Sequence, residues 1–357
     1  MAAAMDAGGN PSSAHGAGRA ARRIVDDARA RIAATTGAVP ADVVFAGSGT
    51  EACQLMLRLP GRPRRLIAAT EHAAVLAADP AAALLPVLAD GTLDLDALRA
   101  RLGETGEDAV VAVMLANNET GAIQPIAEIA EIVHAAGGLL AVDAAQAYGK
   151  LPIDLATLGA DALALSAAKI GGPLGVGATV FAPGTVPVPL VTGGGQERGL
   201  RGGSENVIGI AGFGAAAAEV PDLLARQDAV RERRDRMEAA IGEIAPDVRP
   251  IAAAARRLAN TSALPMPGVP AATQVMALDL AGFAVSAGAA CSSGKIARSH
   301  VLDAMGLPEA VADATIRVSL GPGTTDAEID GFVLAWAALY SRQAARRTER
   351  STAAAAP

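Results

Sequence analysis

Short apolar runs alternate with amphipathic helical patterns along the first part of the chain. The apolar runs predict strands near residues 43–45, 65–69, 84–88, 109–115, 139–142 and 162–165. Helical patterns lie between them, including residues 95–102 and 126–136. Strands separated by helices are typical of βαβ units and a mostly parallel sheet. The pattern therefore predicts a large α/β domain.

Polar residues follow three of these predicted strands at the point where each strand ends. They are Asn117, Asn118 and Glu119 after one strand, Asp143 and Gln146 after the next, and Ser166 and Lys169 after the third. Ligands of parallel α/β sheets bind at the carboxyl ends of the strands. A single loop asparagine is usually a turn residue, but three successive strand ends of this kind predict a ligand site.

The lysine at the third strand end is a candidate covalent amine. The run 162–165 reads as a buried strand, and four glycines and a proline occur in the eight residues after Lys169. A buried ammonium loses hydration, so its pKa falls and its neutral amine can form a Schiff base. The alternative is a lysine that snorkels from a strand end.

Two glycine-containing segments are candidate anion sites. Ser48 and Glu51 have the spacing of a capping box, which leaves the N–H groups of Gly49 and Thr50 available to a phosphate. An ordinary capped helix is the alternative. The loop 192–206 carries many glycines, two arginines and a serine. It would suit an anion, or it is a flexible surface loop.

The pattern changes near residues 246–250 to a smaller α+β unit. Strands are predicted near 261–264, 283–286 and 314–320, and helices near 274–280, 299–305 and 325–341. We therefore predict a large domain over residues 9–245 and a small domain over residues 246–341. The low-complexity tail 342–357 is predicted to be disordered.

Composition and charge exclude several classes of protein. The 357 residues are 51% hydrophobic and only 2% aromatic, so the core must consist of small aliphatic side chains. The net charge of −7 does not favour nucleic-acid binding. No signal peptide or membrane helix is predicted. Two cysteines form no disulfide framework, so we expect a reducing cytoplasm. We predict no metal site.

Nine motifs occur in the order that they have in one enzyme family. They are Gly-Asn-Pro-Ser-Ser-Ala-His (9–15), Ser-Gly-Thr-Glu (48–51), Glu-His-Ala-Ala-Val-Leu (71–76), Asn-Asn-Glu-Thr-Gly-Ala-Ile-Gln (117–124), Val-Asp-Ala-Ala-Gln (142–146), Ser-Ala-Ala-Lys-Ile-Gly-Gly-Pro (166–173), Gly-Gly-Gly-Gln-Glu-Arg-Gly-Leu-Arg-Gly-Gly-Ser (193–204), Ser-Ala-Gly-Ala-Ala-Cys-Ser-Ser-Gly (286–294) and Arg-Val-Ser-Leu-Gly (317–321). With them, the chain resembles the cysteine desulfurases of the NifS/IscS kind. These are pyridoxal 5'-phosphate (PLP) enzymes with the class V aminotransferase fold, a type I PLP-dependent transferase fold.

The resemblance implies the catalytic roles. Lys169 would bind the cofactor covalently, Asp143 would pair with the pyridinium nitrogen, and His72 would stack on the ring and assist proton transfer. Cys291, on a mobile loop, would attack the sulfur of L-cysteine, keep it as a persulfide and release alanine. Cys53 lies in an apolar helical run and is expected to be a core residue.

The resemblance also implies a set of binding residues. Gln146 and Asn118 would bind the ring oxygen, and Arg317, with Asn10 nearby, would bind the substrate carboxylate. The phosphate would be held by Gly49, Thr50 and Ser166, together with Ser204 from the second subunit of a homodimer. The persulfide sulfur would go to acceptor proteins for iron–sulfur cluster assembly or thiolation.

Three positions depart from the family pattern. Only eight residues precede Gly9, where family members usually have a strand and an Ala-Thr-Thr-Pro-type loop. Ala168 stands where a phosphate-binding histidine is usual, and Leu174 stands where a lysine is usual. Two alternatives stay open: a selenocysteine lyase or class V transaminase, and a catalytically impaired partner protein with the same fold.

Overall fold

The computed structural model describes residues 1–103, 106–288 and 298–354, with side chains as far as residue 343. The chain forms two compact units. The large unit contains residues 1–86, 93–116 and 124–225, and the small unit contains 87–92, 117–123 and the chain from Arg226 onward.

The large unit alternates strands and helices as predicted. Its helices are α1 (Ala2–Ala7), α2 (Gly16–Ala34), α3 (Gly49–Met56), α4 (Ala73–Leu76), α5 (Leu95–Leu102), α6 (Ile126–Ala135), α7 (Leu155–Leu158), α8 (Val207–Ala218) and α9 (Val220–Ala225). Its strands are β1 (Val43–Ala46), β2 (Arg64–Ala68), β3 (Ala83–Leu85), β4 (Ala109–Met114), β5 (Leu139–Asp143), β6 (Ala162–Ser166) and β7 (Gly177–Phe181).

These strands form a seven-stranded sheet in the order β1-β7-β6-β5-β4-β2-β3. The five strands from β6 to β3 are parallel, while β7 is antiparallel to both of its neighbours. Strands β1, β4, β6 and β7 are buried along their whole length. The predicted mostly parallel sheet with a core of small aliphatic side chains is thus confirmed.

The sheet register brings together the carboxyl ends where polar residues were predicted to cluster. Met114 at the end of β4 pairs with Asp143 at the end of β5, and Ser166 at the end of β6 pairs with Gly177. A Cβ atom at Gly177 would lie 2.5 Å from the carbonyl oxygen of Ser48. Glycine at this position therefore allows the segment that caps α3 to approach β7.

The small unit packs helices on a three-stranded antiparallel sheet. Its helices are α10 (Gln227–Ile244), α11 (Ala271–Leu280), α12 (His300–Ala304), α13 (Glu309–Ala312) and α14 (Asp326–Ala354). Its strands, in the order β8-β10-β9, are β8 (Thr261–Pro265), β9 (Ser286–Ala287) and β10 (Thr315–Ser319).

The predicted domain boundary at residue 245 differs from the division that the structure has. Helix α10 belongs to the small unit, because Val230, Met237 and Ile241 are buried with Leu264 and Trp336 in the core of that unit. An alanine-rich helical pattern continues through α8, α9 and α10, and the sequence does not mark where its buried face changes from one core to the other.

Two further predictions need correction. The strand predicted at 283–286 is reduced to β9, since Phe283 instead stacks edge-on against Phe332 at 5.8 Å. Helix α14 continues to Ala354, past the predicted end near Ser341. Alanine, arginine and glutamine are good helix formers, so this extension costs little.

No single helix in the described ranges has the length and hydropathy of a membrane span, although Val207–Ala218 and Val220–Ile244 pass that test as a broken pair.

Candidate functional site

Asp143 ends β5 as a buried carboxylate with neutral hydrogen-bond donors. Its Oδ1 accepts the N–H of Ala145 at 2.9 Å, and its Oδ2 accepts from the Cys53 thiol at 3.5 Å. Burial raises the pKa of Asp143, while the Ala145 N–H, His72, the Cys53 thiol and Lys169 oppose that rise. The side chain is therefore a desolvated acid on which two nitrogen bases act.

A second buried carboxyl, Glu71, lies after β2. The backbone N–H of Met114 donates to it, and the side chain is fully buried. Burial, followed by the charge of Asp143, holds the pKa of Glu71 well above its usual value. Two carboxyl groups therefore act on each other at neighbouring strand ends of the large unit.

His72 caps the short helix α4. Its Nδ1 accepts the N–H of Ala74 at 3.1 Å, so the neutral ring carries its proton on Nε2. The residue is half-buried.

The sequence left a buried and an exposed environment open for Lys169, and the structure shows the exposed one. Strand β6 ends at Ser166, and one 3-10 turn over Ala167–Ile170 carries the chain outward, so the Lys169 side chain is exposed. Burial, followed by the charge of Lys169, lowers the pKa of Lys150 to about 8. Its Nζ donates to the carbonyl oxygen of Gln146 at 2.7 Å.

The N-terminus of α3 has the features predicted for a phosphate site. Ser48 Oγ accepts the Glu51 N–H at 3.1 Å, which confirms the predicted helix start. The Glu51 carboxylate accepts from Gly47 N at 2.8 Å, instead of from Ser48 N as in a complete capping box. A Cβ atom at Gly49 would lie 3.0 Å from Ser166 Oγ, so the hydroxyl lies directly against this first turn. Thr50 is exposed beside it.

The two arginines of the glycine-rich loop bind other residues of the large unit. Arg198 donates to the carbonyl oxygen of Val43 at 2.9 Å, and Arg201 pairs with Glu51 at 2.8 Å. The prediction that these arginines would suit an anion is therefore not supported. The alternative, a flexible surface loop, is not supported either, because Glu197 of the same loop pairs with buried Arg29 at 2.8 Å.

Ser204 and Asn10 are exposed in the large unit. The Asn10 side chain accepts from the Ser12 N–H at 2.9 Å. Ser204 lines a small cavity together with Gly47 and Arg201. The predicted binding roles of Ser204 and Asn10 stay predictions.

Arg317 on β10 links two segments of the small unit. Its Nη1 donates to the carbonyl oxygen of Asn118 at 2.9 Å, and its Nη2 donates to Ser286 Oγ at 3.1 Å. Nearby in the chain, Glu119 accepts from Ser299 Oγ at 2.6 Å, and both side chains are buried. The Asn-Asn-Glu motif thus accepts hydrogen bonds from two residues that follow the segment 289–297, and Arg317 also binds Ser286, which precedes it.

The predicted persulfide carrier Cys291 lies outside the described residues. The other cysteine, Cys53, is buried in α3, as predicted. Its pKa is well above the usual value, first because of burial and then because of the charge of Asp143.

Sequence reasoning missed the contact of Cys53 with Asp143, as well as the roles of Glu71, Lys150 and Ser286. Two features of the sequence place these residues next to predicted site residues. Cys53 lies one helical turn after Gly49, and Glu71 directly precedes His72.

These residues fit the cofactor that the motifs imply. The large unit offers an amine at Lys169, a buried carboxylate at Asp143 for a protonated ring nitrogen, and a helix N-terminus with Ser166 for a phosphate. The close approach at Gly49 supports the last of these, since a larger residue would push Ser166 away from the helix.

Comparisons with known proteins agree with this chemistry. The family model of aminotransferase class-V matches residues 3–332. A cysteine desulfurase of Cereibacter sphaeroides is 42% identical, over 90% of this chain and 86% of that protein. A NifS-like protein of Rickettsia africae has a TM-score of 0.88 and 32% identity, covering 95% of this chain and 94% of that one.

A third similar protein is SspA, solved in complex with cysteine. It has a TM-score of 0.75 and 28% identity, covering 90% of this chain and 93% of that one. The fold, the strand-end residues and these matches lead to one conclusion: the chain belongs to the class V aminotransferase family.

Proposed function

We propose that this protein is a PLP-dependent cysteine desulfurase that converts L-cysteine to L-alanine and retains the sulfur as a persulfide. The observation that carries this proposal is the buried carboxylate of Asp143 at the end of β5, on which Lys169 and His72 both act. The extensive similarity to a cysteine desulfurase and to a structure that contains cysteine supports the substrate.

Three residues of the large unit perform the acid–base work. When bound, PLP supplies an electron sink that weakens bonds at the α-carbon of the substrate. Asp143 accepts the hydrogen bond of the protonated ring nitrogen. Lys169 holds the cofactor and transfers the substrate Cα proton, and the Nε2–H of His72 serves as a second proton donor.

Further residues orient the substrate and the cofactor. Arg317 binds the substrate carboxylate through its guanidinium, a geometry that favours bidentate pairing, and Asn10 assists it. Gln146 and Asn118 bind the ring oxygen of the cofactor. The phosphate is held by the N–H groups of α3 at Gly49 and Thr50 and by the hydroxyl of Ser166.

Sulfur transfer is assigned to Cys291. Its thiolate attacks the substrate Sγ, so that an S–S bond forms while the Cβ–Sγ bond breaks. The electron pair of the broken bond stays on the carbon fragment, which takes up a proton and leaves as alanine. The sulfur is transferred as sulfane sulfur. No external oxidant is needed, because the carbon fragment keeps the electron pair of the broken Cβ–Sγ bond.

The remaining partners are proposals that the family resemblance supports. The enzyme is a cytoplasmic homodimer in which Ser204 of a second copy completes the phosphate site. The persulfide passes to acceptor proteins of iron–sulfur cluster assembly or thiolation. Sedimentation of the PLP-saturated protein should give a dimer, and a strictly monomeric species would contradict this arrangement.

The function is tested by mass balance. Protein reconstituted with PLP and given L-cysteine should release alanine, with one extra sulfur on Cys291 found by peptide mass spectrometry. Cys291→Ser should form no alanine and no persulfide, while binding PLP as the wild type does. Alanine formation by Cys291→Ser at the wild-type rate, or a persulfide on Cys53, would overturn the proposal.

A further inference from the structure

Three protonatable side chains meet in the interior of the large unit. Cys53 comes from α3, Glu71 follows β2, and Asp143 ends β5; they are 3%, 0% and 6% exposed. Asp143 has a role in the proposed function, but Cys53 and Glu71 do not. We call these three residues the acid cluster.

The sheet holds Glu71 beside Asp143. The Met114 N–H donates to the Glu71 carboxyl, and Met114 is the residue that pairs with Asp143 between β4 and β5. The next N–H, that of Leu115, donates to the Asp143 carbonyl oxygen at 2.8 Å. Consecutive residues of one strand end therefore bind Glu71 and Asp143, which limits movement of either.

Cys53 reaches Asp143 from the helix side. Its Sγ lies 3.5 Å from Oδ2, while the Ala145 N–H occupies Oδ1 at 2.9 Å. A thiolate at this position would face a carboxylate while both groups are buried, so the neutral thiol is the form that fits. The S–H group therefore directs its hydrogen towards Oδ2 and fixes the rotation of the carboxylate.

The cluster favours one negative charge, carried by Asp143. Two carboxylates that share a buried site are costly to ionise together. The groups that stabilise an anion, which are His72, Lys169, the Ala145 N–H and the Cys53 thiol, act on Asp143. Burial and the charge of Asp143 favour the neutral acid of Glu71, and the Met114 N–H opposes them without reversing the upward direction of its pKa.

We propose that Cys53 and Glu71 are positioning residues of the cofactor site: in their neutral forms they leave Asp143 as the single anion of the acid cluster and orient its carboxylate. The proposal rests on the proposed function, since the ring nitrogen of PLP is the cation that this anion would meet. One anion matches one protonated ring nitrogen, whereas a second carboxylate would leave an uncompensated buried charge.

The protonation state is tested without cofactor. Cofactor-free protein labelled with carbon-13 glutamate should show, in its infrared spectrum at neutral pH, a label-shifted band of a protonated carboxylic acid. Glu71→Gln should lose this band, and Glu128→Gln, which changes an exposed glutamate of α6, should keep it. Absence of the band from the wild type, or its survival in Glu71→Gln, would overturn the proposal whether or not the protein binds PLP.

The positioning role is tested by equilibrium PLP binding and the visible spectrum of the bound cofactor. Cys53→Val, which keeps the volume but removes the donor, should weaken binding about three- to tenfold, as expected for one lost hydrogen bond. Cys53→Ser, which restores a donor, should recover most of the loss. Likewise Glu71→Ala should weaken binding, and Glu71→Gln, which imitates the neutral acid, should restore most of it.

Two outcomes separate the claims. Equal PLP affinity and equal spectra for wild type, Cys53→Val and Cys53→Ser would overturn the positioning role, even if the glutamate variants fail to fold. A wild-type protein that shows the infrared band but binds no PLP would overturn the proposed function and leave the protonation state of Glu71 intact.

Discussion

The large unit contains two regions with buried carboxyl groups, and the negative charge is stabilised differently in the two. Glu197 accepts from Arg29 through both oxygens, at 2.8 and 2.9 Å, and from Phe45 N at 2.8 Å. The guanidinium also lies 4.9 Å from the Phe45 ring centroid. Asp143 is as deeply buried, but in the part of the chain that the structure describes no arginine or lysine forms an ion pair with it.

The difference separates structure from function. The Arg29–Glu197 pair is internally complete, so its contribution is to stability and to holding the glycine-rich loop. The acid cluster contains desolvated carboxyl groups with raised pKa values, an arrangement that costs stability and marks candidate functional sites. A cationic group that binds at Asp143 would supply the positive charge that Arg29 supplies at Glu197.

The largest effect is expected where the complete pair is broken. Arg29→Met leaves Glu197 charged and buried, which typically destabilises a protein by about 3–5 kcal/mol. Denaturant unfolding of the cofactor-free protein measures the loss. Arg99→Met is the control, because Arg99 and its partner Asp96 are both exposed, at 56% and 95%; it should cost at most about 1 kcal/mol. Equal losses for the two variants would contradict the comparison.

Asp143→Asn is expected to weaken cofactor binding without lowering the free energy of unfolding. This change removes a buried charge and keeps the side-chain volume, so the free energy of unfolding without cofactor should not fall. PLP affinity should fall about ten- to a hundredfold, as expected for a lost charge-assisted hydrogen bond. Asp96→Asn, at an exposed site of α5, is the control and should bind PLP normally. Wild-type affinity in Asp143→Asn would remove this residue from the cofactor site.

A gain of affinity is expected at Ala168, which stands where the family resemblance implies a phosphate-binding histidine. Ala168→His should tighten PLP binding about tenfold, because a charge-assisted hydrogen bond contributes about 1.5–3 kcal/mol. Equilibrium dialysis against PLP measures the change. An unchanged dissociation constant would show that the α3 N-terminus and Ser166 already saturate the phosphate.

Glu71 should also make the stability of the protein depend on pH. The pKa of Glu71 is raised in the folded protein. At a pH below the ordinary pKa of glutamate, the side chain is neutral in both the folded and the unfolded protein, so it does not change the free energy of unfolding. As the pH rises towards the folded pKa, the unfolded protein loses this proton more readily than the folded protein, so the free energy of unfolding falls. Without cofactor, wild type should therefore lose stability relative to Glu71→Gln as pH rises from about 4 towards neutrality. A difference in the free energy of unfolding between the two proteins that stays constant with pH, or that changes in the opposite direction, would contradict a raised pKa of Glu71.

Sequence patterns predicted most elements of both units but not the partners of the buried charges. Helix α5 was placed at its observed bounds, and most sheet strands within one or two residues, because period and turn signals are local. The Arg29–Glu197 pair joins residues 168 positions apart, and Cys53 meets Asp143 across 90. Such pairs depend on tertiary packing, and neither residue carries a local signal for the other.

The environment of the lysines was the least predictable part of the site. A strand end followed by glycines left a buried and an exposed Lys169 open, but one 3-10 turn is enough to expose it, and burial falls on Lys150 instead. The choice between these outcomes depends on backbone geometry over four residues, which glycine content alone does not determine.

The two lysines also provide the most direct test of where the cofactor is held. Lys150, with a pKa of about 8, is a competing amine, because the neutral form is the nucleophile. The protein should be loaded with PLP, treated with borohydride to make the cofactor–lysine bond permanent, digested and mapped by mass spectrometry. The account predicts the pyridoxyl group on Lys169, with no label in Lys169→Ala; a label on Lys150 in the wild type would contradict it.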